Sequence, residues 1–142
     1  MLGTNDLAKD TWTQIVPGRA PMMPWLMTAL AGARAEGLTI LDGVYNNFSD
    51  VEGCREECRQ ARILGFDGKT LIHPSQVELA NTAFAPTEDE VAVARSVIEA
   101  FDRPENAKRG AIQINGRMFE RQHIGMARRA VAWAEAIAAR GQ

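Results

Sequence analysis

Three short apolar runs each lead into a residue that can do chemistry. "MLGT" leads to Asp6, "GLTIL" ends at Asp42, and "KTLI" ends at His73, directly before Pro74, Ser75, Gln76 and Val77. A carboxylate at the start of a loop suits Mg²⁺, a hard cation that takes one or two carboxylates and fills its shell with waters or substrate oxygens. Asp6 is open to a second reading as the cap of a helix starting at Leu7, since a short carboxylate accepts the free N–H groups of a first turn. Asp42, followed by Gly43, either positions a substrate or bonds nearby backbone N–H groups as a turn aspartate. His73 is open to three readings: a base, a ligand, or a residue that shapes a stretch lining its ligand through backbone groups. Pro74 directly after it holds the approach extended. Glu120 and His123 lie three apart at the entry to a last helix. That spacing can hold a metal, and a glutamate in a first helical turn also complements the helix dipole.

The elements around these residues alternate. Arg19 to Gly37 is expected to be a helix, with Pro21 and Pro24 in its first turn and a stripe of Trp25, Leu26, Ala29, Leu30 and Ala33. Leu38 to Leu41 reads as a strand. Ser49 and Glu52 have the spacing of a capping box, opening a helix striped by Val51, Cys54, Cys58 and Ala61 and stopped by Gly65. Thr70 to Ile72 is the next expected strand. About 30 residues for strand, helix and strand is the length of a right-handed crossover, so the two strands should be parallel neighbours. Beyond them the pattern changes. Thr87 and Glu90 form another capping box before a helix with Val91, Ala94, Val97, Ile98 and Phe101 on one face. A polar loop, Arg103 to Gly110, follows. "AIQINGRMFE" is a hairpin turning at Asn115-Gly116, and a last helix is striped by Met126, Ala130, Trp133 and Ile137.

The 142 residues carry a formal net charge of −2, with 46% hydrophobic and 24% charged residues. This balance gives no pull toward nucleic acid or an anionic membrane surface. No apolar run approaches the ~20 residues of a membrane span. Cys54 and Cys58, four apart, lack the spacing of a zinc knuckle or a redox pair and read as reduced core thiols. A cytoplasmic location is expected on these grounds. The three tryptophans read as packing residues. Two parallel strands cannot make a stable sheet alone, and "MLGT" looks like the end of a further strand. The chain is therefore expected to be the second half of a larger α/β structure.

Five stretches in order, "GTNDLAKD", "LDGVYNNFSDVEG", "GFDGKTLIHPSQV", "AFAPTEDEVAVAR" and "GRMFERQHIGMARR", resemble the C-terminal half of the citrate lyase beta-subunit-like family. These are CoA-ester lyases, such as malyl-CoA and citramalyl-CoA lyases, within the HpcH/HpaI aldolase superfamily. The resemblance implies an α/β fold: the C-terminal part of a (β/α)8 TIM barrel, strands six to eight, in residues 1–84. Residues 85–142 would be a helix-hairpin-helix extension packing on a neighbouring subunit. It implies a Mg²⁺-dependent carbon–carbon lyase acting on a CoA thioester, in a homo-oligomer such as a trimer or hexamer. Asp6 matches the family's metal-binding aspartate, whose partner glutamate has no counterpart here. Pro74, Ser75, Gln76 and Val77 match the segment that holds the adenine end of CoA, largely by backbone. Asp42 and His73 would face the substrate or support those that do. The family's catalytic acid is an aspartate in a "Met-Ile-Asp-x-Pro" stretch, given in trans to a neighbour's site. Here Met118-Phe119-Glu120-Arg121-Gln122 stands in its place, with Glu120 for the aspartate and no proline. The implied alternative is a catalytically incomplete piece that serves assembly or CoA binding.

Overall fold

Two strands of two residues, β1 (Leu41–Asp42) and β2 (Gly68–Lys69), pair in parallel with Leu41 opposite Gly68 and Asp42 opposite Lys69. The computed structural model describes residues 1–140, which fall into two compact units, Met1–Phe84 and one beginning at Ala85. In the first unit the order is α1 (Thr4–Thr11), α2 (Met23–Ala35), β1, α3 (Val51–Leu64), β2 and α4 (Val77–Phe84). The parallel pairing follows from the crossover through α3, as the spacing predicts. The strand bounds do not. The expected strand Leu38–Leu41 is displaced, since Leu38 is exposed and its carbonyl is taken by Arg34. The expected strand Thr70–Ile72 lies just past the ladder. Thr70 N–H still donates to Asp42, but Ile72 N–H is taken by the Gln76 side chain. Carbonyls alternate along a strand. Ile40 and Asp42 serve Asp67 and Thr70, while Leu41 faces the other way and accepts the Leu2 N–H at 2.9 Å. The opening residues therefore run beside β1.

Helix starts also differ from the sequence pattern. The second helix begins at Met23 rather than Arg19, because Gly18 and Arg19 both take left-handed φ angles, 75° and 55°. Pro24 does sit in its first turn, while Pro21 lies in the preceding 3-10 segment. Helix α3 is capped by Asp50, whose side chain accepts from Gly53 N–H, and not by Ser49. Gly65 ends it in the left-handed conformation, φ 105°, where glycine avoids the Cβ penalty. The core of this unit comprises Met22, Leu26, Leu30, Ile40, Cys54, Cys58, Ala61, Phe66, Ala80 and Phe84. Arg34 ties its far end together, reaching both oxygens of Asp67 at 2.8 and 2.9 Å and the carbonyls of Leu38 and Gly65. Of the tryptophans, Trp12 is 93% exposed and Trp25 45% exposed in this chain, so neither fills the core.

In the second unit α5 (Glu88–Asp102) opens on a complete capping box of Thr87 and Glu90, as its spacing predicts. The hairpin β3 (Ala111–Ile114) and β4 (Arg117–Glu120) turns at Asn115 and Gly116, with φ of 49° and 79°. Those two positive angles are what makes Asn-Gly the favoured pair in such a turn. Helix α6 (His123–Arg140) packs on α5, burying Ala127 with Ala94, Val97, Phe101 and Ile112. Met126, expected in the stripe, is instead 71% exposed. Arg121 fixes the loop before the hairpin. It donates to the carbonyls of Asn106, Ala107 and Arg109 and lies 5.2 Å from the Phe101 ring centre.

Candidate functional site

Asp6 is exposed in the first turn of α1. The helix starts at Thr4 with Gly3 at the cap position, so Asp6 does not cap it and its carboxylate is presented from the third helical residue. Its neighbour Asn5 exchanges two side-chain hydrogen bonds with Asn46, at 2.9 and 2.8 Å. That reciprocal amide pair joins the turn bearing Asp6 to the loop after β1. Nothing in the local spacing signals it, since its members lie 41 residues apart.

Asp42 is fully buried, and its carboxylate is held by side chains and not by turn backbone. Its carboxylate accepts no backbone N–H in a turn and is shut off from solvent. Arg19 Nη1 lies 2.8 Å from both of its oxygens, and Lys69 Nζ lies 2.9 Å from Oδ2. Lys69 also reaches Glu57 at 2.6 Å, and Arg19 Nε donates to Gln60 at 2.8 Å. Two cations and two anions thus share one cluster, in which Asp42, Lys69 and Arg19 are buried and an unpaired charge would cost several kcal/mol, while Glu57 borders a cleft. Sequence reasoning missed Arg19, Glu57 and Lys69, since each sits in a segment that otherwise reads as helix or turn.

His73 lies four residues past β2, exposed and stacked on Phe48 with ring centres 4.8 Å apart. Its Nδ1 accepts from Ser75 N–H at 3.2 Å, capping a 3-10 turn over Pro74–Gln76. Gln76 is buried. Its Oε1 accepts from Ile72 N–H, and its Nε2 donates to the Tyr45 carbonyl. The Gln76 side chain is therefore a strut between two loops. Pro74, Ser75 and Val77 present the exposed surface of the segment.

Between the loops after α1 and β1 lies a cleft of about 330 Å³, lined by Val16, Gly18, Tyr45, Asp50, Glu57 and Gln60 among others. Tyr45 donates its hydroxyl to Asp50 at 2.6 Å, over Gly53, where a Cβ would come 2.1 Å from the tyrosine oxygen. The bond to Asp50 pushes the Tyr45 hydroxyl up to about 12 and holds the Asp50 carboxyl below its ordinary value. A raised folded value means that this bond stabilises fully below the ordinary phenol range. The contribution fades as pH climbs from about 10 to about 12. Tyr45 is the chain's single tyrosine, so its phenolate absorbance can be followed directly. The expected midpoint is about 12, and Asp50→Asn should bring it down. A parent midpoint at the ordinary phenol value would contradict the bond.

Cys54 and Cys58 are buried free thiols. Burial pushes Cys58 up to about 12 and raises Cys54 as well, which suits packing and not nucleophilic chemistry. In the second unit, Glu120 is the last residue of β4, exposed, three residues before α6 begins. It is therefore not in a first helical turn. Gln122 Nε2 donates to its Oε2 at 2.6 Å, and its own N–H donates to His123 Nδ1 at 2.8 Å. That bond occupies Nδ1 of His123 and leaves the ring's other nitrogen facing away from it. No group of three or more His, Cys, Asp or Glu side chains able to hold a metal occurs among the described residues. No helix among them is long and apolar enough to cross a membrane.

Residues 19–142 match the family model described as C-C bond lyase of the TIM-barrel fold. A (3S)-malyl-CoA thioesterase of Cereibacter sphaeroides is 50% identical over 98% of this chain and 49% of its own length. The citrate lyase subunit beta of Leuconostoc mesenteroides subsp. cremoris is 36% identical over 95% of this chain and 45% of its own length. Among solved structures, CitE from Mycobacterium tuberculosis in complex with magnesium, acetoacetate and coenzyme A is 34% identical. It superposes with a TM-score of 0.64 over 78% of this chain and 40% of its own. The chain spans about half the length of the curated relatives it matches.

Proposed function

As the chain belongs to the C-C bond lyase family of the TIM-barrel fold, we propose that it is the C-terminal half of a Mg²⁺-dependent enzyme acting on a 3-hydroxyacyl-CoA of the malyl-CoA type. On this reading the residues from Leu2 up to the start of α1 at Thr4, then β1 and β2, are the ends of barrel strands six, seven and eight. The observation that carries it is that Asp6 and the Pro74–Val77 segment follow the two segments that flank β1, Leu2 bonding to the Leu41 carbonyl on one side and β2 pairing in parallel on the other, and β/α barrels build their active sites at the carboxyl ends of such strands. The similarity to a structure solved with magnesium and coenzyme A supports the same two ligands here.

The residues fit Mg²⁺ as half of a site. Asp6 offers one exposed hard-oxygen donor, and the second carboxylate would come from the part of a longer protein that this chain does not span, as the chain covers 49% of its malyl-CoA thioesterase relative. Mg²⁺ held there by Asp6 would supply Lewis-acid chemistry for carbon–carbon cleavage. The rest is the work of protein groups. Pro74 to Val77 line the nucleotide, with the Gln76 side chain keeping the turn in place. In the reaction the hydroxyl gives its proton to water or a carboxylate at the complete site, the bond between C2 and C3 breaks, and the acyl-CoA leaves as its enolate. Glu120, from a neighbouring copy in a homo-oligomer, gives that enolate carbon its proton.

A second reading, thioester hydrolysis, is favoured by the 50% identity to a (3S)-malyl-CoA thioesterase. There water adds to the thioester carbonyl, the C–S bond breaks, and CoA leaves as the thiol. One experiment separates the two. The protein carrying both halves is given (3S)-malyl-CoA with and without Mg²⁺. Carbon–carbon cleavage yields glyoxylate and keeps the thioester count constant, whereas hydrolysis releases a free thiol and malate. Glyoxylate formation that stops on chelation is the expected result. Free thiol without glyoxylate selects the second reading, and no turnover of either kind refutes both.

A further inference from the structure

We infer that the buried Arg19–Asp42–Lys69–Glu57 cluster is a positioning device for Asp6, acting on it through the contact between Gly43 and Thr4; this rests on reading Asp6 as a metal ligand. Asp42 is at once the anchor of the cluster and the last residue of β1. Its carbonyl accepts both the N–H and the hydroxyl of Thr70, three residues before His73. The next residue, Gly43, lies so close to buried Thr4 that a Cβ would stand 2.2 Å from Thr4 Oγ1. Thr4 is the first residue of α1, and Asp6 is the third. A carboxylate fixed by two cations therefore fixes a backbone, and that backbone abuts the first residue of the turn bearing Asp6. The asparagine pair of Asn5 and Asn46 closes the same connection from the other side of the loop.

The backbone at Arg19 indicates that this arrangement is enforced. Arg19 is held at φ 55°, a left-handed conformation that a side chain adopts at a cost and that persists when its surroundings over-determine it. Here they do. Its guanidinium meets Asp42 and Gln60 while being 4% exposed. Supporting contacts of this kind orient ligands without touching the metal, and their loss typically weakens metal binding about 10–100-fold.

The test reads metal binding directly, in the protein carrying both halves, with Mn²⁺ as the paramagnetic probe and no substrate. Asp42→Asn combined with Lys69→Met keeps the cluster neutral, leaving Arg19 with Glu57, yet reduces the doubly held carboxylate at the strand end to a single amide contact with Arg19. It should raise the Mn²⁺ dissociation constant about tenfold. Thr4→Ser leaves the cluster untouched and trims only the methyl group facing Gly43. It should fold normally and weaken Mn²⁺ by a smaller factor in the same direction. Asp6→Ala is the control. If it leaves Mn²⁺ affinity unchanged, Asp6 is no ligand, and the reading beneath this inference fails together with it. If Asp6→Ala abolishes binding while Thr4→Ser and the double variant, where folded, bind like the parent, the cluster does not position Asp6 and the inference alone is overturned.

Discussion

Glu120→Gln in the protein carrying both halves is expected to lower turnover ~10²–10⁴-fold, the range for loss of a general acid or base. The amide keeps the size of the carboxyl and can still meet Gln122, but it cannot exchange a proton. Glu120 is exposed and outside the helix that follows it, so a dipole role of ~0.3–1 kcal/mol is not the reason for a carboxylate at this position. The side chain reaches one methylene further than the aspartate of the family pattern, and a displacement of ~1 Å can itself cost ~10²-fold. The hydrogen bond from Gln122 restrains that extra reach. Stability of the variant should match the parent within ~0.5 kcal/mol, as for other surface substitutions. Mixing Glu120→Gln subunits with Asp6→Ala subunits should restore part of the activity if the acid is given in trans, since some sites then receive both intact residues. Unchanged turnover in Glu120→Gln would remove it from the mechanism. A true loss with no recovery on mixing would place its action within its own chain.

Asp42→Ala should be among the most damaging single changes to the first unit. It leaves Arg19 and Lys69 buried beside Glu57 alone, and breaking a buried ion pair in this way costs ~3–5 kcal/mol. Against a total stability of ~5–15 kcal/mol that is a large fraction. Asp42→Asn should cost less, because its amide oxygen still accepts from Arg19. Denaturant titration of the protein carrying both halves measures both. An Asp42→Ala midpoint equal to the parent's would mean that water enters the pocket and relieves the charges, and the cluster would then hold nothing together.

Local patterns specified several features of the chain unaided. Thr87 and Glu90 form the capping box that their spacing implies, and Asn115-Gly116 forms the hairpin turn, because each is a contest among residues three or fewer apart. Parallel pairing of β1 and β2 was equally legible, since the length and hand of the crossover leave no other arrangement. The motifs also carried the family, as stretches such as "GFDGKTLIHPSQV" keep their order. Strand bounds failed because apolar runs mark burial, whereas the ladder is decided by which carbonyls are free. Gln76 takes the N–H of Ile72, and Arg34 takes the carbonyl of Leu38, on either side of two very short strands.

What the sequence determined by itself is the set of groups: a hard-oxygen donor at Asp6, an extended approach fixed by Pro74, a carboxylate at Glu120, and helices whose apolar faces must be covered. What only the tertiary structure decided is which charges meet. Arg19, Asp42, Glu57 and Lys69 are scattered over 50 positions, and each reads locally as a solvated charge or a turn residue. Their pairing at 2.6–2.9 Å exists only once α3 has folded back on the strand pair. The physical reason is range. Capping and turn formation are settled by backbone geometry over a few residues. The energy of a charge depends on the medium around it, and that medium is made by segments distant in the chain.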